Sequence, residues 1–354
     1  MSGGSPALAP PAPALRRPGG GARRLLGVGA LVGGLLIAVA LSLAVGARAT
    51  DPIVAVLALV DPAALGPDSV DAVVVRELRI PRTVIGLLAG AALGVAGIVM
   101  QGVTRNPIAD PGLLGVTAGA SFAVVLGIAV AGVTSVLALA GFSLLGALGA
   151  ASLIAAIAAT SRVGSDPALL VVAGAAVTAG LTSLTTLVLL SDPETLDRYR
   201  FWTVGSLTGR SLDGALALSP LIVVGIVGAA LLARALDALA LGDDVARGLG
   251  FRLAPTRAAA IATIVVLAGA ATAIAGPIVF VGLVGAHAAR VAVGGSHLAR
   301  IPVAALAGAA LVLVADIIGR LVVPPGELEA GIVVAALGAP LLILLVRSRE
   351  GLRA

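Results

Sequence analysis

The chain contains no cysteine and no lysine. Without cysteine it forms no disulfide, no thiolate metal site and no thiol nucleophile. Without lysine it cannot complete the motif G-x-x-x-x-G-K-[ST], so it does not bind ATP through a P-loop. No Ser/His/Asp constellation and no HExxH motif is present. The two histidines, His287 and His297, stand ten residues apart with no acidic neighbour in sequence. That pattern fits helix or loop ends better than a metal site. Aromatic residues make up 2% and charged residues 12% of the 354 residues, whereas a soluble domain carries about twice that charge. Nothing in the charge pattern points to nucleic acid.

Hydrophobic residues make up 59% of the chain, and the mean hydropathy is +1.14. A soluble core cannot absorb so much apolar surface. A bilayer can, at roughly 20 apolar residues per helix. The apolar runs are continuous rather than alternating, which excludes a transmembrane barrel. The expected fold class is an all-α polytopic membrane protein. With 47 glycines, its helices should pack backbone against backbone through small residues.

Residues 1–22 are rich in Pro, Gly and Ala and are expected to be a disordered cytoplasmic tail. A single membrane domain over residues 23–350 should follow. Ten apolar segments are found, at about 25–47, 83–101, 112–131, 137–159, 168–190, 214–234, 258–275, 278–293, 301–319 and 330–346. The first follows paired arginines and precedes Ala47-Arg48-Ala49, as a signal peptide would. Its length and the spans after it favour a retained helix. Both tails and Arg105, Arg162, Arg234, Arg247, Arg252, Arg257, Arg290 and Arg300 fall on one side of this ten-span topology. The positive-inside bias therefore puts both termini in the cytoplasm. Tyr199 and Trp202, in the outer segment 191–213, read as an interfacial aromatic pair.

An internal echo adds a constraint. Leu88 to Gly97 reads LAGAALGVAG and Leu267 to Gly276 reads LAGAATAIAG, identical at seven of ten positions. The first lies on an inward span and the second on an outward one. Spans 2–5 and 7–10 would then form an inverted repeat, a common transporter plan.

Three stretches could carry function. Arg79 and Arg82 flank Pro81 at the outer mouth of span 2, and Arg320 stands at the outer end of span 9. Arginine outside runs against the charge bias. Either these residues dock carboxylates of an external protein, through the two-pronged guanidinium fork, or they anchor helix ends through internal ion pairs with Glu77 or another outer acid. Asp316, four residues before Arg320, suits a helical ion pair; its rival reading is a proton or ion site. The second stretch, LGDDVARGLG from Leu241 to Gly250, lies in the cytoplasmic segment 235–257. Asp243 and Asp244 favour the positive end of a short helix, and Gly248 and Gly250 permit its termination. It is either a handle for a soluble motor or a connecting loop. The third is the turn Asn106 to Gly112, where two prolines favour a structural role over substrate contact.

At these residues a family resemblance appears. RIPRTVIGLLAGAALGVAGIVMQGVTRNPIADPGLLGVTAGA is similar to the signature region of the FecCD-type permeases of iron-siderophore and cobalamin ABC importers. LGDDVARGLG resembles their coupling segment. GPIVFVGLVGAHAARVAVGGSH, and ADIIGR followed by GELEAGIVVAALGAPLLILLV, resemble their last spans. The resemblance covers about residues 25–348 and excludes the Pro/Gly tail.

It implies a ten-span permease subunit that imports a ferric siderophore or a haem- or cobalamin-like chelate across the bacterial cytoplasmic membrane. A second permease subunit, identical or paralogous, would complete the path at the dimer interface. Two ATPase subunits would use ATP in the cytoplasm, so that this chain is not itself an enzyme and binds no cofactor. An external binding protein would deliver the substrate. Arg79, Arg82 and Arg320 match the family's docking arginines. Gly242, Asp243, Asp244, Val245, Ala246, Arg247, Gly248, Leu249 and Gly250 match its ATPase-coupling element. Ser165 and Asp166 fall near its cytoplasmic gate, and no metal site is implied. The competing class is a proton- or ion-coupled secondary transporter built on Asp316, and a channel or scaffold is the third.

Overall fold

The computed structural model describes residues 20–46, 53–54, 57–58, 69–160, 167–324 and 326–347. Most of the expected tail, the Ala47-Arg48-Ala49 triplet and the gate residues Ser165 and Asp166 lie outside them. Among the described residues every regular element is helical. The helices are α1 (Gly20–Ala44), α2 (Ile80–Thr104), α3 (Val116–Ala131), α4 (Val136–Thr160), α5 (Pro167–Ser191), α6 (Pro193–Thr203), α7 (Leu212–Ala240), α8 (Asp243–Gly248), α9 (Leu253–Ala275), α10 (Val281–Val293), α11 (His297–Val322) and α12 (Ala330–Arg347). Eight of these helical stretches are long and apolar enough to cross a membrane, and α3 and α10 are shorter apolar helices.

Burial ranks the helices. The most apolar windows of α2, α9 and α11 are 78%, 72% and 61% buried, against 11–33% for the others. These three form the centre, and the two halves of the sequence echo lie on α2 and α9. Glycine makes the centre possible. A Cβ at Gly90 or Gly94 of α2 would come closer than 3.0 Å to the backbone of Gly308 or Ala304 on α11. One at Gly97 would meet Gly282 on α10 equally closely. Such small-residue seams let backbones approach and gain dispersion contacts where lipid offers no hydrophobic drive.

Helix α2 starts earlier than its apolar run predicts. Ser69 accepts a hydrogen bond from the Ala72 amide and caps a turn over Val70–Val73. A π-helical turn, Val74–Arg79, follows and leads into α2, giving a helical rod over residues 70–104. Pro81 near the start of α2 lacks an N–H and crowds the carbonyl four residues back. The wider π turn accommodates this. The charged residues of RELR hid the helix from its hydropathy.

Segment 191–213 also departs from expectation. It contains α6, capped by Asp192, which accepts from the Glu194 amide, with Pro193 at the first helical position. Tyr199 and Trp202 are buried and stack with ring centroids 5.9 Å apart. They are a packing pair within the chain, not an exposed aromatic belt. One α6 turn places both rings on the same inward face, which sequence spacing alone did not assign.

Candidate functional site

At about 1.5 Å per residue, the 25 residues of α2 separate two polar clusters. At its N-terminal end, Arg79, Arg82 and Arg320 are buried, with 3%, 8% and 2% of their surface exposed. The sequence left a docking patch and internal anchoring both open there, and in the folded chain these arginines are engaged by groups of the chain itself. Arg82 donates to Asp316 at 2.7 Å and to Glu327 at 2.6 Å. Arg320 donates to the other Asp316 oxygen, one turn away on α11. It also donates to the carbonyls of Ser42 at 2.7 Å and Val45 at 2.9 Å. Arg79 donates to the carbonyls of Leu43 and Ala44, each at 2.7 Å.

The physical cause is the end of α1. The last carbonyls of a helix have no intrahelical donor and attract cations. Two arginines supply the missing hydrogens, so the three side chains lock α1, α2 and α11 together. Asp316, shared by two guanidinium groups, is an ion-pair partner and not a free carboxylate. The four-residue spacing revealed its bond to Arg320. Its bond to Arg82 and the part played by Glu327 join residues more than 230 positions apart in sequence, and no local pattern exposes them.

At the other end of α2 the short helix expected in LGDDVARGLG forms as α8. Asp243 and Asp244 open it, and Gly242 enters at φ 108° while Gly250 leaves at φ 87°. Gly248 is its last helical residue. Both Asp243 oxygens accept from buried Arg257, at 2.9 and 3.0 Å, and Arg105 lies 3.5 Å from the same carboxylate. These contacts fasten α8 to the ends of α2 and α9. Ala246 packs inward, whereas Val245 and Leu249 are exposed, as are Gly248, Gly250 and the Asp244–Arg247 ion pair. A hollow of about 560 Å³ beside them is lined by Arg247, Phe251, Arg252 and Pro255. His297 sits at the start of α11 and bonds Asp237 at 2.6 Å through Nδ1. This acidic partner is 60 residues away, beyond any local search.

Between the two ends lies a cavity of about 650 Å³. Thr117 and Ser121 of α3, Thr178 and Thr182 of α5, Tyr199 of α6 and Phe280 line part of it. The Thr178 hydroxyl donates to the Gly174 carbonyl one turn back at 2.7 Å, which lets a polar group sit on an apolar helix. Gly276 at φ 76° ends α9, and Phe280 at φ 66° begins α10. A side chain other than glycine rarely adopts such a φ. Here Phe280 is seated against Gly338, where a Cβ would collide with its ring. The gap between the apolar segments 258–275 and 278–293 located this break, but nothing in the sequence singled out Phe280. The turn from Asn106 to Gly112 borders the same cavity through Asp110 and Gly112 and also ties elements together. Asp110 accepts from the amides of Gly112 at 3.0 Å and Leu283 at 3.3 Å, tying the α2–α3 connection to α10.

Comparison with known proteins gives this arrangement its family. Residues 34–348 match the FecCD transport family. The chain belongs to that family. The ferric enterobactin transport system permease protein FepD of Escherichia coli is 47% identical over 316 residues, covering 89% of this chain and 93% of that protein. The Fe(3+) dicitrate permease FecD of Escherichia coli is 38% identical, covering 78% and 86% respectively. The hemin permease HmuU of Yersinia pestis is 34% identical, covering 77% and 83%. A solved structure described as an inward-facing metal-chelate type ABC transporter aligns with a TM-score of 0.77 and 26% identity, covering 91% of this chain and 99% of that one. As a FecCD protein the chain is a membrane transport subunit and not itself an enzyme. The ion-coupled alternative finds no support: the relatives are permease components, and Asp316 is held by two arginines.

Proposed function

We propose that this FecCD protein is the permease subunit of an ATP-binding-cassette importer that carries a ferric siderophore, or a related iron or haem chelate, inward across the bacterial cytoplasmic membrane. The observation that carries the reading is its likeness, over nearly its whole length, to iron-chelate permease components. The eight long helices with α3 and α10 would make ten spans, with both termini and α8 in the cytoplasm, arranged as an inverted repeat of spans 2–5 and 7–10. A second permease subunit, identical or paralogous, would close the path against the hydroxyl-rich face of α3 and α5. Two ATPase subunits, which use the ATP, would dock on Gly242 to Gly250, with Val245 and Leu249 as apolar contacts. The expected gate at Ser165 and Asp166 would lie in the same cytoplasmic layer.

The external binding protein would dock at the arginine end. Arg82 is the reachable member, because its partner Glu327 keeps 27% of its side chain exposed. An incoming carboxylate would take the place of Glu327 on Arg82, while Arg79 and Arg320 hold the platform. Uptake into vesicles containing the permease and ATPase, with binding protein added outside, tests the function: uptake should require ATP. Proton-driven uptake without ATP would sink it. Docking is tested by Glu327→Gln, which should tighten binding-protein association roughly five-fold by releasing one Arg82 prong, at about 1 kcal/mol for such a bond. Unchanged or weaker association would remove Arg82 from the docking surface.

A further inference from the structure

Between α1 and α10, at the α8 end of the molecule, lies a groove of about 830 Å³. Arg24, His287 and Arg290 supply its polar wall, and Gly27, Val291 and Ala292 its apolar one. Its floor is closed where α1 meets α10, for a Cβ on Gly27 would lie 3.6 Å from the Ala292 backbone. Among the described residues no carboxylate lines it. Among the described residues neither Arg24 nor Arg290 forms an ion pair with an acid. The hydrogen bond of Arg290 is to the neutral Gln101 amide oxygen, at 2.5 Å. Arg290 also faces a second cavity, of about 280 Å³, with Arg105, His297 and Arg300 on its wall. Arg105 and His297 are matched there by Asp243 and Asp237, so among the described residues the positive charge left without an acid at this end of α10 is that of Arg290 and Arg300.

The surface around the groove is apolar. Leu25 and Leu26 on α1 and Val291 on α10 are 77%, 73% and 74% exposed. Cations without acids, set beside bare aliphatic side chains at a helix end, match one kind of partner: an anionic headgroup whose acyl chains continue along the protein. Arginine binds phosphate through its planar fork, and basic pockets between membrane helices on the cytoplasmic side take up anionic headgroups.

We infer that the α1–α10 groove is a binding site for an anionic phospholipid of the cytoplasmic leaflet, with its phosphate between Arg24 and Arg290 and its chains along Leu25 and Val291. The inference rests on the importer reading only for which leaflet the groove faces.

The test uses the full chain with its partner subunits in detergent. Phosphatidylglycerol or phosphatidylcholine is titrated in, and retained lipid is counted by native mass spectrometry. Phosphatidylglycerol should be retained preferentially. Removing both charges in Arg24→Gln/Arg290→Gln should weaken its retention about thirty-fold, or roughly five-fold per charge. The charge-keeping pair Arg24→Lys/Arg290→Lys should preserve it, which separates loss of charge from loss of fold. Equal retention of the two lipids by the wild-type complex would overturn the site, as would full retention by the Gln pair or loss of retention by a folded Lys pair. Inorganic phosphate distinguishes headgroup from free anion. It should displace the lipid only at large excess, and displacement at equal concentration would assign the groove to a free anion instead. ATP-driven uptake by the same preparation is read separately. Uptake without lipid preference defeats this inference alone, and lipid preference without uptake defeats the importer reading alone.

Discussion

At the N-terminal end of α2, Arg82 and Arg320 share Asp316, Glu327 takes a second prong of Arg82, and the carbonyls ending α1 accept from Arg79 and Arg320, which leaves the Nε groups of Arg82 and Arg320 without a hydrogen bond among the described residues. At the C-terminal end, Asp243 takes up Arg257 and Arg105, but among the described residues Arg290 has only an amide oxygen and stands beside a cavity shared with Arg300. The first cluster is buried and internally matched. The second is partly open and carries unmatched positive charge. Burial explains the contrast. A buried guanidinium without a carboxylate or carbonyl is too costly to keep, so the first end had to recruit acids and helix-end oxygens from distant parts of the chain. The second end reaches a surface, where solvent or a partner can supply the missing anion.

The contrast can be broken or sharpened by substitution. The largest effect should come from Asp316→Ala, which leaves two buried arginines facing each other. It should destabilise the protein by about 3–5 kcal/mol, read as a fall in the thermal midpoint of the detergent-solubilised protein. A loss below about 1 kcal/mol would mean that the matched cluster is not holding the helices. For the same reason reversal of both Arg79 and Arg82 to Glu, the simplest probe of a docking patch, should unfold this end rather than merely unseat a partner. Glu327→Gln is the cleaner probe.

Next comes Gly94→Val. Its side chain would enter the Ala304 backbone on α11, and overpacking costs about 1–3 kcal/mol or more where backbone must move. This tests whether the helix seam, and not the arginines alone, fixes the matched end. An unchanged thermal midpoint would show that the seam yields freely. Asp243→Asn should cost about 1–3 kcal/mol through the charge left on buried Arg257. It should also lower ATPase stimulation by the assembled transporter more than it lowers assembly. Unaltered stimulation would detach α8 from coupling.

The smallest effect is a control on spacing. Glu194 and Arg198 form an ion pair at the same four-residue separation as Asp316 and Arg320, but their side chains are 73% and 43% exposed. Arg198→Ala should change stability by no more than about 0.5 kcal/mol in the same unfolding measurement. A loss comparable with that of Asp316→Ala would show that burial does not separate the two pairs.

Much of this was legible in the residues. Hydropathy located the helices, because an apolar run of membrane length has few other stable forms. Gly-rich α2 announced its close packing. The acids and glycines of LGDDVARGLG announced α8, and the four-residue step announced the Asp316–Arg320 pair. Hydropathy failed where charge and helix coincide, at residues 70–79 and in α6, since a helix stabilised by caps and tertiary packing need not be apolar.

The sequence alone determined the all-helical membrane class, the order and approximate limits of the long helices, and the residues that resemble the FecCD permeases, because each depends on composition or on contacts a few residues apart. Tertiary structure decided which arginines are matched and which are not. That outcome depends on Asp316, Glu327 and the end of α1 meeting at one point, and on no acid reaching Arg290 among the described residues. Charge matching acts between groups a few ångströms apart, and only the packed chain sets those distances.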